Sequence, residues 1–161
     1  MKKFQLEIKW AILFSLLTLL WTIGEKISGL HDIHLDKHVF YTNFFAIPAI
    51  LVYVFALMDK KKNEFQNTMS FQQGFVTGVY ISFIIMILSP IVQYISMTFI
   101  SPNYFENVIS FVVKNKSMTA IQAHQYFNLK SYIFQSAFFA LSVGIVTAAI
   151  VAYFLQSKSK K

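Results

Sequence analysis

Long apolar stretches alternate with short polar segments along this chain. The longest apolar stretch runs from Phe65 to Phe105 without a charged side chain or a histidine. A charge at the centre of a bilayer costs several kcal/mol, so membrane-spanning segments exclude charges over lengths at which soluble domains do not. The pattern therefore predicts an all-α integral membrane protein.

An α-helix needs about 20 apolar residues to cross a hydrocarbon core of about 30 Å. Four segments approach or exceed this length, and they are residues 10–27, 40–58, 71–88 with a kinked extension to 100, and 132–155. The kink is predicted at Pro90, which has no backbone N–H to donate and clashes with the preceding turn. Residues 1–161 are thus expected to form a single membrane domain, a bundle of four transmembrane helices with a short helical external loop.

Small residues recur every four positions in two of these segments. The fourth segment carries Ser136, Ala140, Gly144, Ala148 and Ala152, and the third carries Gly74, Gly78 and Ser82. Helices in a bilayer approach each other closely where side chains are small. These two small-residue ladders predict that the third and fourth helices pack together within one subunit. A contact with a second copy or with a partner protein is the alternative.

Lysine placement predicts the orientation in the membrane. The flanking lysines are Lys2, Lys3 and Lys9 before the first helix, Lys60, Lys61 and Lys62 between the second and third, and Lys158, Lys160 and Lys161 after the fourth. The other two loops mix their lysines with acidic residues, and positive charge collects on the cytoplasmic side of membrane proteins. Both termini are therefore expected in the cytoplasm.

Composition limits the partners and the reactions that this protein is expected to have. The formal net charge is +7, but the chain has no arginine, the residue that most often reads bases and phosphates, so nucleic acid is not an expected partner. It has no cysteine, which excludes disulfides and thiolate metal sites. The sequence also lacks the nucleophile-elbow, phosphate-loop and dinucleotide motifs, so neither an enzyme nor a cofactor is predicted.

Three histidines, His31, His34 and His38, lie close together with Asp32 and Asp36 between them. His34 and His38 are one helical turn apart, a spacing at which two imidazoles can bind one metal ion. Histidine also gains charge near pH 6.5, so a pH-responsive contact is a second alternative. The simplest interpretation is a solvated turn outside the membrane, and all three interpretations stay open.

The segment 101–130 is the one polar region large enough to form structure of its own. Apolar residues within 103–115 fall on one helical face, which predicts an interfacial helix. Thr119 and Gln122 have the spacing of a capping box, which predicts a second short helix through Tyr126. The pair could form a lid, a lipid-contacting platform or a partner surface.

Five short motifs carry a resemblance that covers nearly the whole chain. They are Glu25-Lys26-Ile27-Ser28-Gly29-Leu30-His31-Asp32, Tyr41-Thr42-Asn43 with Phe45-Ala46-Ile47-Pro48, Leu88-Ser89-Pro90 with Gln93-Tyr94, Ser101-Pro102-Asn103-Tyr104-Phe105, and Tyr126-Phe127-Asn128-Leu129-Lys130-Ser131-Tyr132. Together they resemble the small four-span membrane family catalogued as domain of unknown function 4199. The resemblance implies a multi-pass bacterial inner-membrane protein without an assigned activity. It marks Glu25, Asp32, Pro90, Tyr94 and Asn128 as positions to follow.

These observations predict a non-enzymatic small subunit, scaffold or lipid-contacting element. Its expected partners are the lipid bilayer and either a second copy or another membrane protein. The alternative is a metal- or proton-handling membrane protein, or a transporter accessory, that uses His31, His34 and His38 with Glu25, because an ionisable residue just inside a membrane is a functional candidate.

Overall fold

Four long helices account for most of the structure, a computed structural model that describes residues 4–157. They are Gln5–Ile27, Leu35–Asn63, Phe71–Ile100 and Leu129–Leu155, and they are called spans one to four below. Each is long and apolar enough to cross a membrane, and no strand occurs within residues 4–157. The predicted all-α fold with four membrane-length helices is confirmed. The lysines at positions 2, 3, 158, 160 and 161, on which part of the predicted orientation rests, lie outside the described residues.

Consecutive spans run in opposite directions, which gives the bundle two distinct ends. At one end, called the lysine end, Glu7 of span one contacts Lys60 of span two. At the other, called the histidine end, Glu25 of span one faces His31 and His38. The buried carboxylates of span one therefore mark both ends of the bundle.

Span two is a composite of three helical segments. Helix α2 (Leu35–Thr42) passes through a 3₁₀ turn (Asn43–Phe45) into α3 (Ala46–Asn63). Pro48 lies just beyond this turn and has no N–H with which to bond the carbonyl of Phe44. The tighter turn lets the chain continue in one direction. The span runs over Leu35–Asn63, so it is longer at both ends than the predicted 40–58.

Span three continues through its proline. Helix α4 (Phe71–Ile95) passes Pro90 and ends in a π-helical turn (Ser96–Ile100). Pro90 cannot donate to the carbonyl of Met86, but the hydroxyl of Ser89 donates to that carbonyl at 2.9 Å. Neighbouring hydroxyls commonly satisfy the carbonyls that a transmembrane proline frees. The helix therefore continues past residue 88 through the predicted extension to residue 100.

The tightest helix contact joins α4 to span four, helix α7 (Leu129–Leu155). A Cβ added to Gly144 would lie 2.5 Å from Ser82 Oγ, and one added to Gly74 would lie 3.1 Å from Ala152 Cβ. A Cβ added to Gly78 would lie 3.1 Å from Ala148 Cα and in contact with its Cβ. The two ladders of small residues thus meet within one chain, and the predicted contact between spans three and four is confirmed.

Two short helices join span three to span four at the histidine end. They are α5 (Tyr104–Lys114) and α6 (Ala120–Tyr126). Thr119 Oγ1 accepts a bond from the Gln122 N–H at 3.3 Å, and Gln122 Oε1 accepts one from the Thr119 N–H at 3.1 Å. Both predicted helices and the capping box are confirmed.

Candidate metal centre

A glycine turn brings the first histidine back against the end of span one. Gly29 has a φ of +75°, in the left-handed region that favours glycine. Its N–H donates to the carbonyl of Lys26 at 3.1 Å, and the N–H of Leu30 donates to the carbonyl of Glu25 at 3.0 Å. These two bonds form the Schellman motif that ends many helices. The chain reverses here, and His31 is placed beside Glu25 as a result.

The Glu25 carboxylate is buried, and its two oxygens have different neighbours. The residue is 8% exposed, and the indole N–H of Trp21, one helical turn earlier, donates to Oε1 at 2.8 Å. Thr42 of span two also lies beside this carboxylate. The second oxygen, Oε2, faces the histidines.

Both imidazoles present Nε2 to the same oxygen. Nε2 of His31 lies 3.4 Å from Glu25 Oε2, and Nε2 of His38 lies 3.9 Å from it. Donor atoms of the three side chains all lie within 4.8 Å of one another. N–H···O hydrogen bonds are usually 2.7–3.2 Å long, so both separations are longer than a typical hydrogen bond. The three side chains surround a small gap.

The other ring nitrogens each lie near a hydroxyl group. Nδ1 of His31 lies 2.6 Å from Ser101 Oγ, and Nδ1 of His38 lies 3.5 Å from the hydroxyl of Tyr104. Metal-binding histidines usually donate their second ring N–H to an acceptor, and a hydroxyl oxygen can accept such a bond. With the proton on Nδ1, each ring has a free lone pair on Nε2 for a metal ion.

Helix α5 covers the cluster. The amide of Asn107 donates to the carbonyl of His31 at 3.0 Å, and the ring of Tyr104 lies edge-on to the His31 ring at 5.0 Å. Burial raises the pKa of Tyr104, and the negative charge of Glu25 raises it further. The phenol is therefore protonated at neutral pH and can act as a hydrogen-bond donor, and its oxygen lies 3.2 Å from that of Tyr132. The cluster sits beneath a packed cap and not on an open surface.

The donor set suits a divalent transition metal. Two imidazole nitrogens and one carboxylate oxygen are ligands that Zn²⁺ takes at about 2.0–2.2 Å, usually in a tetrahedron that keeps its ligand atoms about 3.3 Å apart. The separations of 3.4 Å and 3.9 Å from Glu25 Oε2 are close to this value. A fourth position remains for water or another oxygen ligand.

The structure places the three predicted histidines in different environments. His31 is 2% exposed, so the interpretation of a solvated turn is wrong for it. His34 is exposed and precedes α2, whose first residue is Leu35, so it does not share a helical face with His38. Helix capping by Gly29 and packing under α5 bring His31 inside instead. The grouping is Glu25, His31 and His38.

The other positions that we followed have structural contacts elsewhere. Asp32 accepts from the Ile33 N–H at 2.6 Å and from Lys26 at 3.2 Å, and these contacts lower its pKa. Asn128 caps α7 by accepting from the Ser131 N–H at 2.9 Å. Tyr94 is 48% exposed on span three, and Pro90 is accommodated as described above. Asp36 is exposed.

Sequence reasoning missed three contributors to the cluster, Trp21, Ser101 and Tyr104. Trp21 lies four residues before Glu25, the spacing at which helical side chains meet, so its contact was recoverable. Ser101 is 70 positions from His31 along the chain. Only the fold, with the π turn at the end of span three, brings that hydroxyl to the ring.

The family comparison covers nearly the entire chain. The family described as "Protein of unknown function (DUF4199)" matches residues 9–157. The chain belongs to this family. No curated protein and no solved structure matches it. The resemblance drawn from the five motifs is thereby confirmed, and membership of DUF4199 brings no assigned activity with it.

Proposed function

We propose that this DUF4199 protein is a non-enzymatic membrane protein that holds one divalent transition-metal ion, with Zn²⁺ as the first candidate, at Glu25, His31 and His38. One observation carries the proposal. Nε2 of two imidazoles lies 3.4 Å and 3.9 Å from one buried carboxylate oxygen, farther than in a typical hydrogen bond and close to the spacing between ligands of one ion.

Alternative explanations fit this geometry less well. A simple charge pair would bring Glu25 to direct contact with one histidine, and a solvated cluster would leave the rings in water. A hydroxyl lies at each Nδ1 and can accept its N–H, which is the tautomer that leaves Nε2 free for a metal ion. Because Glu25 and His31 are buried under α5, the site suits retention of an ion more than its passage.

The test is the metal content of the untagged protein, purified in mild detergent without chelator. We expect one ion per chain in the parent, and we expect Glu25→Gln and His38→Gln each to lose it. His34→Gln is the matched control, since His34 is exposed and outside the cluster. Its metal content should equal that of the parent.

Cobalt gives a second readout on the parent itself. Co²⁺ bound in a tetrahedral site with two imidazoles should produce visible absorption bands, and added Zn²⁺ should abolish them. Metal far below one ion per chain together with no cobalt spectrum would overturn the proposal and favour a scaffold or lipid-contacting element. Equal metal loss in His34→Gln and His38→Gln would overturn the assignment of the ligands.

The proposed location is the inner membrane, with both termini and the lysine end in the cytoplasm. Lys60, Lys61 and Lys62 at the end of span two support this orientation. The chain has no cysteine, so single cysteines report accessibility without background. In intact cells, a membrane-impermeant thiol reagent should label Asp36→Cys and leave Lys62→Cys unlabelled. The reverse pattern would show that the orientation is wrong.

The bilayer is the proposed partner of the exposed apolar side chains on the spans. Ile12, Phe55, Phe83 and Phe154 are each about half exposed or more in the isolated chain. Such side chains fit contact with lipid acyl chains or with the spans of a second copy or another membrane protein. Chemical cross-linking in native membranes tests this, and a ladder of cross-linked copies would favour self-association.

A further inference from the structure

A cavity of about 310 Å³ lies inside the bundle, and all four spans contribute to its wall. Phe14 of span one, Phe45 of span two, Ile85 of span three and Ala140 of span four each line it. An apolar cavity of about 150 Å³ can hold benzene. The cavity in this bundle therefore has room for a considerably longer apolar group.

Four of the hydroxyl groups in the wall are bonded within their own helices. Ser15 Oγ donates to the Ala11 carbonyl at 3.0 Å, and Thr18 Oγ1 donates to the Phe14 carbonyl at 3.0 Å. Ser89 and Ser136 donate to carbonyls of their own helices in the same way. A guest would meet mainly methyl, methylene and aromatic groups. Because a hydrated ion or sugar would lose its hydrogen bonds there, the wall suits a hydrocarbon.

The cavity opens sideways, between spans two and four. Among the lining residues, the exposed ones are Asn43 and Ala46 on span two and Phe139 and Val143 on span four. The lining residues of spans one and three are buried or half-buried. This mouth lies within membrane-length helices, where the surrounding medium is made of lipid acyl chains.

We propose that this cavity binds the acyl chain of one membrane lipid, which enters from the bilayer between spans two and four. The Tyr53 hydroxyl, paired with Ser82 Oγ at 2.8 Å, forms part of the wall toward the lysine end. Thr42 and Asn43 form a polar margin toward the histidine end. The ester end of the lipid belongs at that margin, and the chain extends from it toward Tyr53.

The lipid site and the metal site are separate. None of the three metal-binding side chains lines the cavity. Thr42 is the residue shared by their surroundings, since it lines the cavity and lies beside Glu25. Lipid retention is therefore expected to persist in Glu25→Gln, even where metal is lost.

Native mass spectrometry tests the proposal on full-length protein taken from nanodiscs of palmitoyl-oleoyl phosphatidylglycerol. The parent should retain one lipid per chain at collision energies that strip the annular lipids. Ala140→Leu and Ala49→Leu, which fill the cavity from opposite walls, should each lose that lipid. Val146→Leu is the control, because Val146 is 59% exposed on span four and does not line the cavity. It should retain the lipid.

The test uses two filling variants in case one of them does not fold. Lipid loss in either Ala140→Leu or Ala49→Leu is then sufficient evidence. A filled cavity should also make the detergent-solubilised variants less responsive to added lipid in thermal melts than the parent. Equal lipid retention in the parent, both filling variants and Val146→Leu would mean annular lipid only and would overturn the proposal. A parent that retains no lipid would overturn it as well.

Discussion

Span one carries a buried carboxylate at each end, and the two are compensated in different ways. Glu7 is 2% exposed, and its Oε1 contacts the ammonium of Lys60 at 2.6 Å. Glu25 is 8% exposed and faces two imidazole nitrogens at 3.4 Å and 3.9 Å. A lysine carries a permanent charge at neutral pH, whereas an imidazole does not.

The difference separates a structural ion pair from the proposed metal site. At the lysine end, Lys60 also contacts Glu64 at 2.6 Å, so the cation and carboxylates are already in direct contact. At the histidine end, one carboxylate oxygen and two imidazole nitrogens lie within 4.8 Å of one another, with a hydroxyl near the far nitrogen of each ring. Burial of a carboxylate does not by itself indicate function. The absence of a permanent cation at contact distance, among the described residues, is the informative feature.

The largest effect is expected at the lysine end. Lys60→Met leaves Glu7 buried without its cation, and removal of one partner from a buried pair destabilises proteins by about 3–5 kcal/mol. Reversible unfolding in mixed detergent micelles would measure the loss. Lys62→Met, at an exposed position of the same helix end, is the control and should be nearly neutral. Similar tolerance at both positions would contradict the structural role of the pair.

The next effect is expected at the histidine end and should appear in metal affinity. Ser101→Ala removes the hydroxyl 2.6 Å from Nδ1 of His31. Loss of such a supporting contact typically lowers metal affinity by about 10–100-fold. Competition with a chromophoric zinc chelator measures this. Ser101→Thr should restore much of the affinity, and Ser110→Ala, at an exposed position on α5, should leave it unchanged.

A third variant lies between the two ends and should affect neither charge cluster. Gly144→Leu forces a side chain against Ser82 and Tyr53, and overpacking of this kind costs about 1–3 kcal/mol. Val143→Leu, one position away and 43% exposed, should be mild. The unfolding assay used for Lys60 compares them. A change in metal content in Gly144→Leu would show that the two ends are less independent than the structure suggests.

The smallest effect is expected at Asp32, near the proposed metal site but outside it. The Ile33 N–H and the Lys26 ammonium lower its pKa below the ordinary 3.8, so the native state favours the charged form. Its stabilisation is therefore present above pH 3.8 and is lost as the pH falls through the lowered native pKa. Asp32→Asn should shift the melting temperature slightly at neutral pH and leave metal content unchanged. Loss of metal in this variant would make Asp32 a ligand and contradict the grouping.

The spans could be predicted because charge exclusion is a property of a whole segment. No single residue decides it, so an uncharged run from Phe65 to Phe105 is informative even without knowledge of contacts. Helix boundaries were less predictable. The effect of Pro90 depends on one neighbouring hydroxyl, that of Ser89, which bonds the carbonyl that the proline leaves free.

The site was predicted only as a set of candidate residues. Glu25, His31 and His38 were all named, but helical spacing grouped His38 with His34. The helix begins at Leu35, so His34 precedes it, and the Gly29 turn selects His31 instead. The supporting hydroxyls come from Ser101 and Tyr104, and local sequence holds no information about a partner so far along the chain.

The π turn at the end of span three sets the direction in which the residues after it face. The N–H of Ser101 donates to the carbonyl of Ser96 at 2.8 Å, which closes a turn one residue larger than an α-turn. Each residue of an α-helix rotates the chain by about 100°, so one added or removed residue changes which side of the helix every later residue faces. Point substitutions within 96–100 leave the number of residues in the turn unchanged. A single deletion, in contrast, would rotate Ser101 away from His31. The length of this turn, more than its composition, therefore keeps the membrane helix and the cap over the histidines in register.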